Sequence, residues 1–250
     1  MYTKAFGEII KNEKIGSDTF DIVVKTPQAK EAEIGQFMQI LVEGKTLRRP
    51  ISICEIDRFA GTIRMVYLVK GEGTKWLSDR KTGDTLDLLG PLGHGFTSGG
   101  NILVVGGGIG VPPLLQTAKQ AAGADAILGY KNKNFAVLIS DFEKVCSDVK
   151  IATDDGSLGV HGFVTDILKE QIKLKKYDRV CACGPIPMLK ALAAICENEN
   201  IPCEVSLEER MGCGVGACVG CVCKIKDGED YRHLQVCKYG PVIDSKEVLW

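Results

Sequence analysis

The chain has 250 residues, a formal net charge of −1 and 45% hydrophobic residues, enough for one large domain or two modest ones with a real core. The near-neutral balance lacks the clustered basic surplus of a nucleic-acid binder. The opening MYTKAFGEIIKNEK has no apolar signal-peptide core, and the apolar run NILVVGGGIGVPPLL is broken by Gly and Pro and too short to span a bilayer. The chain therefore reads as cytoplasmic, with neither nucleic acid nor membrane as a partner.

In chain order, residues 1–98 read as strands. TFDIVVKT, QFMQILVE, RPISICEI and TIRMVYLVK alternate or run apolar over strand-like lengths, separated by turn signals at Pro27, Gly44, Gly61 and Gly83. About six such strands with one short helix, TKWLSDR, predict a small antiparallel barrel. From Asn101 the rhythm changes. NILVVGG, DAILGYK, VKIATD, RVCACG and CEVSLEE are strands, and the stretches VPPLLQTAKQAA, FVTDILKEQIK and IPMLKALAAICENE are helices between them. Strands alternating with helices predict a parallel α/β sheet over 99–207. Residues 208–250 carry no helical period and are rich in Cys and Gly, which predicts a small lobe held by what its cysteines bind.

Within the barrel half, Leu47-Arg48-Arg49-Pro50-Ile51-Ser52 sets basic residues at a strand start, with a hydroxyl three residues on from Arg49. Lys70-Gly71-Glu72-Gly73-Thr74 runs into the short helix, where free N–H groups face an anion. Thr74 is also a plausible helix cap. Together the two features suggest a pyrophosphate site. In the second half, Gly106-Gly107-Gly108-Ile109-Gly110-Val111-Pro112-Pro113 follows a buried strand and opens a helix, the context of a dinucleotide turn. It departs from the G-x-G-x-x-G fingerprint at Val111. The next strand ends Gly129-Tyr130-Lys131-Asn132 with no acid at its tip, so the usual discrimination of NAD from NADP gives no answer. Cys183-Gly184-Pro185 ends another strand of the same sheet, at the end where ligands bind.

Eleven cysteines are an odd number, and five fall within 208–238. In a reducing compartment such a group binds metal or does redox work. The spacing Cys213-x4-Cys218-x2-Cys221, with Cys237 beyond, is that of plant-type [2Fe–2S] ligands. Three thiolates must converge from one loop, and Gly212, Gly214, Gly216 and Gly220 can take positive φ to let it curl. Zinc is the weaker alternative, because the segment has one C-x2-C and one nearby histidine, His233. A Rieske centre would need a second histidine. If the segment is a strand, Cys223 and Cys221 point to one face and geometry alone does not exclude Cys223; Cys221 is preferred because only it completes the x4–x2 spacing. The chain offers no Ser/His/Asp set and no carboxylate pair as catalytic residues.

In order, RPIS, KGEGT, GGGIGVPP, CGP and CGVGACVGC resemble the ferredoxin-reductase superfamily, and the cysteine lobe narrows the resemblance to the electron transfer subunits of dihydroorotate dehydrogenase B. The resemblance implies a flavin-binding β-barrel over 1–98, an NAD-binding α/β domain over 99–207 and an iron–sulfur lobe over 208–250. It implies FAD contacts from Arg49, Pro50, Ile51, Ser52, Val66, Tyr67, Leu68, Gly73 and Thr74. It further implies [2Fe–2S] ligation by Cys213, Cys218, Cys221 and Cys237, and an approach of NAD to Gly106, Gly107, Gly108, Gly110, Cys183, Gly184 and Pro185. Ile51 stands where the superfamily has tyrosine, so ring stacking by that side chain is lost. The implied function is electron transfer in pyrimidine biosynthesis, from an FMN-containing catalytic subunit through [2Fe–2S] and FAD to NAD⁺, in an assembly of two copies of each chain. Two other readings share the motifs: a reductase subunit exchanging electrons between NAD(P)H and ferredoxin or hydrogenase, and a non-enzymatic redox sensor.

Overall fold

The computed structural model describes residues 2–250. Six strands close into a barrel: β1 (Thr3–Gly16), β2 (Thr19–Lys25), β3 (Phe37–Ile40), β4 (Arg49–Asp57), β5 (Thr62–Leu68) and, after the one short helix α1 (Glu72–Ser78), β6 (Thr85–Leu92). Their order round the barrel is β1-β2-β5-β4-β3-β6, and every neighbouring pair is antiparallel. Closure leaves no free edge. Alternation selects the core: Ile22 and Val24 of β2, and Ile63 and Met65 of β5, point inward onto Ile9, Leu86 and Leu88.

The second half alternates strand and helix: β7 (Asn101–Gly107), α2 (Leu115–Lys119), β8 (Gly123–Tyr130), α3 (Ile139–Glu143), β9 (Asp148–Thr153), β10 (Val160–His161), α4 (Val164–Leu174), β11 (Arg179–Cys183), α5 (Ile186–Asn198) and β12 (Cys203–Ser206). β7 is buried along nearly its whole length, as a central parallel strand must be. α5 buries Leu189, Leu192, Ala193 and Cys196, a helical stripe lying on that sheet. The helix expected over VPPLLQTAKQAA is shorter than its sequence. Pro112–Leu114 form one 3₁₀ turn and α2 begins only at Leu115. Pro112 and Pro113 carry no N–H to donate, so regular hydrogen bonding starts after them.

The cysteine-rich segment contributes a hairpin, β13 (Val222–Asp227) and β14 (Asp230–Gln235), a single turn α6 (Val236–Tyr239), and β15 (Val242–Asp244). β15 returns to the large sheet and pairs antiparallel with β12. The sheet order is β10-β9-β8-β7-β11-β12-β15. One hydrophobic cluster joins Phe37 and Leu92 of the barrel, Val180 and Val205 of the sheet, and Cys221, Leu234 and Cys237 of the last segment. The chain winds outward from β7 in one direction to β10, then resumes at β11 on the other side. The switch of direction therefore lies between β7 and β11, where Gly106 pairs with Cys183. Open α/β sheets bind ligands at the strand ends beside such a switch.

Candidate functional site

Two cavities flank this switch point, and the Gly106–Gly110 turn forms the wall between them. The first lies between barrel and sheet. The barrel lines it with Pro50, Ile51, Ser52, Val66, Tyr67, Leu68 and Thr74. The sheet side supplies Ile109 and Cys183, and the run into the cysteine loop supplies Ser206, Glu208 and Met211. The Tyr67 hydroxyl donates to Asn12 Oδ1 at 3.0 Å, and its ring stacks on Phe20 with centroids 5.8 Å apart. Thr74 Oγ1 accepts from the Lys70 N–H at 2.9 Å and donates to the Gly71 carbonyl at 3.1 Å. Its hydroxyl therefore ties the turn together, as a cap does. Arg49 reaches across to α1, where an added Cβ on Gly73 would stand 2.2 Å from Arg49 Nε. A side chain at Gly73 would displace the guanidinium. Neither Arg49 nor Gly73 lines the cavity.

The second cavity, about 550 Å³, opens at the ends of β7, β8, β9 and β11. Gly107, Gly108 and Pro185 line it, with Met188 and Phe163 as apolar walls. Gly106 and Gly110 are buried and line neither cavity; they let the backbone pack. An added Cβ on Gly110 would lie 2.4 Å from the Cys183 carbonyl oxygen, so the turn and the Cys183-Gly184 peptide touch. Gly108 has φ +55 and open space above it, which leaves its backbone bare to the cleft. At the far end stand Tyr130, Lys131 and Asp154. The sequence offers no acid at the tip of β8, yet the fold supplies one just past the end of β9, where the Asp154 N–H donates to the Tyr130 carbonyl at 3.1 Å. Strand adjacency, which the sequence alone does not show, was the missing signal. Glu208 and Met211 were missed for a simpler reason: they belong to EERM, directly before Cys213, and their place at the first cavity follows from that short connection.

The cysteine loop sits beside the first cavity. The Val215 and Cys218 N–H groups donate to Cys213 Sγ, both at 3.4 Å. The Gly216 N–H donates to Cys237 Sγ at 3.2 Å and the Cys237 N–H to Cys221 Sγ at 3.5 Å. Gln235 Nε2 donates to the carbonyls of Gly216 (3.0 Å) and Cys218 (2.9 Å), which holds the loop against β14. Gly214 and Gly216 have φ of +74 and +76, as a tight curl requires. Gly212 and Gly220 do not take positive φ; an added Cβ on each would make an ordinary contact with Cys218 Sγ, at 3.4 and 3.5 Å, so neither the φ nor the space requires glycine there. Through its backbone N–H groups the loop reaches Cys213 and Cys237, and Cys237 reaches Cys221. Among the described residues no three His, Cys, Asp or Glu side chains gather as ligands of one metal ion. Burial pushes the Cys213 thiol up, but the surrounding N–H donors outweigh it and bring the thiol down to about 6. Cys223 is half-buried and packs against the core, its thiol pushed up by burial.

Comparison with known proteins fits this geometry. Residues 7–96 match the oxidoreductase FAD-binding domain, and residues 208–249 match the iron–sulfur cluster binding domain of dihydroorotate dehydrogenase B. The electron transfer subunit of dihydroorotate dehydrogenase B (NAD(+)) from Caldanaerobacter subterraneus subsp. tengcongensis is 40% identical over 255 residues, covering 100% of both chains. The chain belongs to this family. The Geobacillus thermodenitrificans electron transfer subunit is 41% identical over 96% of each chain. Among solved structures, an NADH-dependent reduced ferredoxin-NADP oxidoreductase studied for flavin-based electron bifurcation superposes with a TM-score of 0.88, at 32% identity, covering 98% of this chain and 90% of that one. A Neisseria gonorrhoeae ferredoxin NADP⁺ reductase with bound FAD and NADP shares the fold, with a TM-score of 0.64 at 17% identity over 78% of this chain and 91% of that one. As a dihydroorotate dehydrogenase B electron transfer subunit, the chain is an oxidoreductase component that acts with a catalytic partner.

Proposed function

We propose that the chain carries electrons from a dihydroorotate-oxidising partner to NAD⁺ in pyrimidine biosynthesis; its full-length relatives are named electron transfer subunits of dihydroorotate dehydrogenase B (NAD(+)). The partner is an FMN-containing catalytic subunit, and the assembly holds two copies of each chain. The observation that carries the reading is the adjacency of the two cavities and the cysteine loop around one switch point. When bound, FAD exchanges hydride with a nicotinamide and single electrons with an iron–sulfur cluster. Among the described residues no helix is long and apolar enough to cross a membrane; we read the chain as cytoplasmic.

Cys213, Cys218, Cys221 and Cys237 are the four ligands of a [2Fe–2S] cluster. Four thiolates are what a two-iron centre needs, two for each iron. The N–H groups of Val215, Gly216 and Cys218 already aim at sulfur and would stabilise thiolate charge there. Pro50, Ile51, Ser52 and Val66–Leu68 would hold the flavin ring in the first cavity. Arg49, with the Gly73–Thr74 backbone, would hold its phosphates. With tyrosine replaced by Ile51, aliphatic contact from Ile51 and Ile109 takes over part of the ring's cover. Gly107, Gly108 and Pro185 admit the dinucleotide to the second cleft, while Cys183 faces the first cavity across the shared wall. In this division 1–98 binds FAD, 99–207 binds NAD and 208–250 holds the cluster. The dihydroorotate site is assigned to the catalytic partner that the name electron transfer subunit implies.

The likeness to the ferredoxin-NADP oxidoreductase favours one second reading, electron exchange with ferredoxin instead. Purification in complex separates the two. A bound FMN protein, together with dihydroorotate-dependent NAD⁺ reduction by the complex but not by the chain alone, is the expected result. A ferredoxin partner, or dihydroorotate turnover by the isolated chain, would overturn it.

A further inference from the structure

Gln39 lies on β3, one strand from the Arg49–Ser52 segment, and its register partner is Pro50. It is wholly buried. Its side-chain oxygen has no hydrogen-bond partner. Its Nε2 has only the thioether of Met211, at 3.9 Å, a weak acceptor. Buried amides are normally satisfied, because an unpaired one costs stability, so this one requires an explanation.

Its surroundings supply one. Met211 lines the first cavity and lies two residues before Cys213. Gly214 follows Cys213, and an added Cβ there would stand 2.6 Å from Gln39 Nε2 and 2.9 Å from its Cγ. The loop at Gly214 is thus pressed directly onto the Gln39 side chain, and only a glycine at φ +74 allows that approach. One barrel amide touches the loop on both sides of its first cysteine.

We propose that Gln39 is a positioning residue for the cysteine loop. Its carboxamide fixes Met211–Gly214 against the flavin-side cavity, and the positive end of its N–H dipole lies against Met211 and Gly214, the residues on either side of Cys213. A donor dipole at that place favours the extra negative charge of a reduced centre and so raises its potential. The inference rests on the cluster reading above.

The test is an EPR-monitored redox titration of the holoprotein in complex, with iron and FAD measured per chain. Gln39→Met keeps the side chain's length and removes the amide. It is expected to retain iron and FAD while the equilibrium for cluster reduction falls about tenfold, or ~59 mV for one electron. Loss of iron with FAD retained would also support the proposal, since the loop would have lost its anchor. Gln39→Asn keeps an amide but withdraws it by one methylene, and is expected to shift the equilibrium the same way by roughly threefold. It decides the matter if the methionine variant does not fold. An unchanged potential with iron intact overturns the role of Gln39. Wild-type protein without iron would instead overturn the cluster reading.

Discussion

At Gly73 the space of a side chain is filled by the Arg49 guanidinium, 2.2 Å from where a Cβ would stand. The arginine is flexible and can yield, so Gly73→Ala is expected to leave the fold intact but weaken FAD binding about tenfold, measured by flavin release, through loss of a charge-assisted contact to phosphate. Unchanged flavin retention would remove Arg49 from the phosphate site. Cys218→Ser is expected to abolish iron binding and keep FAD, because most of the flavin-side residues belong to the barrel; paired loss of both would show that the sites depend on each other. Asp154 closes the second cleft with a carboxylate that would repel a 2′-phosphate. Asp154→Ser is expected to improve NADPH use relative to NADH by roughly tenfold in kcat/KM, and an unchanged ratio would remove Asp154 from discrimination. The cysteine spacing was legible from the chain because a single loop supplies three of its members. Asp154 was not, because only the β8–β9 pairing brings it beside Tyr130.

Elements carry the second lesson. The turn after β7 must be glycine at Gly110 for a packing reason rather than a phosphate: its Cβ would meet the Cys183 carbonyl oxygen at 2.4 Å. Backbone cannot move aside as a side chain can. Gly110→Ala is therefore expected to cost about 1–3 kcal/mol, read as a lowered thermal midpoint; an unchanged midpoint would mean that the turn relaxes freely. The strand–helix alternation from Asn101 was readable from hydrophobic runs and Gly-bounded turns. The short α2 shows the limit of periodicity, since the apolar pattern runs through Pro112-Pro113 while hydrogen bonding cannot. β15 was invisible for another reason. A three-residue edge strand has too little pattern to announce itself, and its place is decided by pairing with β12.

Across the whole molecule, barrel and sheet are held together by charge as well as by apolar contact. Arg64 of β5 binds Asp21 at 2.9 Å, Glu55 at 3.3 Å and Asp141 of α3 at 3.3 Å. Lys119 of α2 binds Glu55 at 2.7 Å, and Gln116 accepts the Ile56 N–H at 3.0 Å. Asp21 is almost fully buried, so Arg64→Met would strip it of one of its two cations at a cost of about 3–5 kcal/mol. Burial acts upward on Glu55 and Asp87, but the cations beside them prevail and hold both below their ordinary values of 4.5 and 3.8. The unfolded chain binds more protons at those pH values, so this stabilisation is present above them and is lost as the pH falls through the lower folded values. A thermal midpoint that is steady in neutral solution and drops below 4.5 is expected. The order of barrel, α/β sheet and cysteine segment was legible in the sequence; the way all three meet at one switch point required the fold. The most direct test of that meeting is iron, labile sulfide and flavin content per chain, measured on protein purified anaerobically with its partner. About two irons, about two sulfides and about one FAD per chain are expected, while a single zinc, or iron without flavin, would contradict the account.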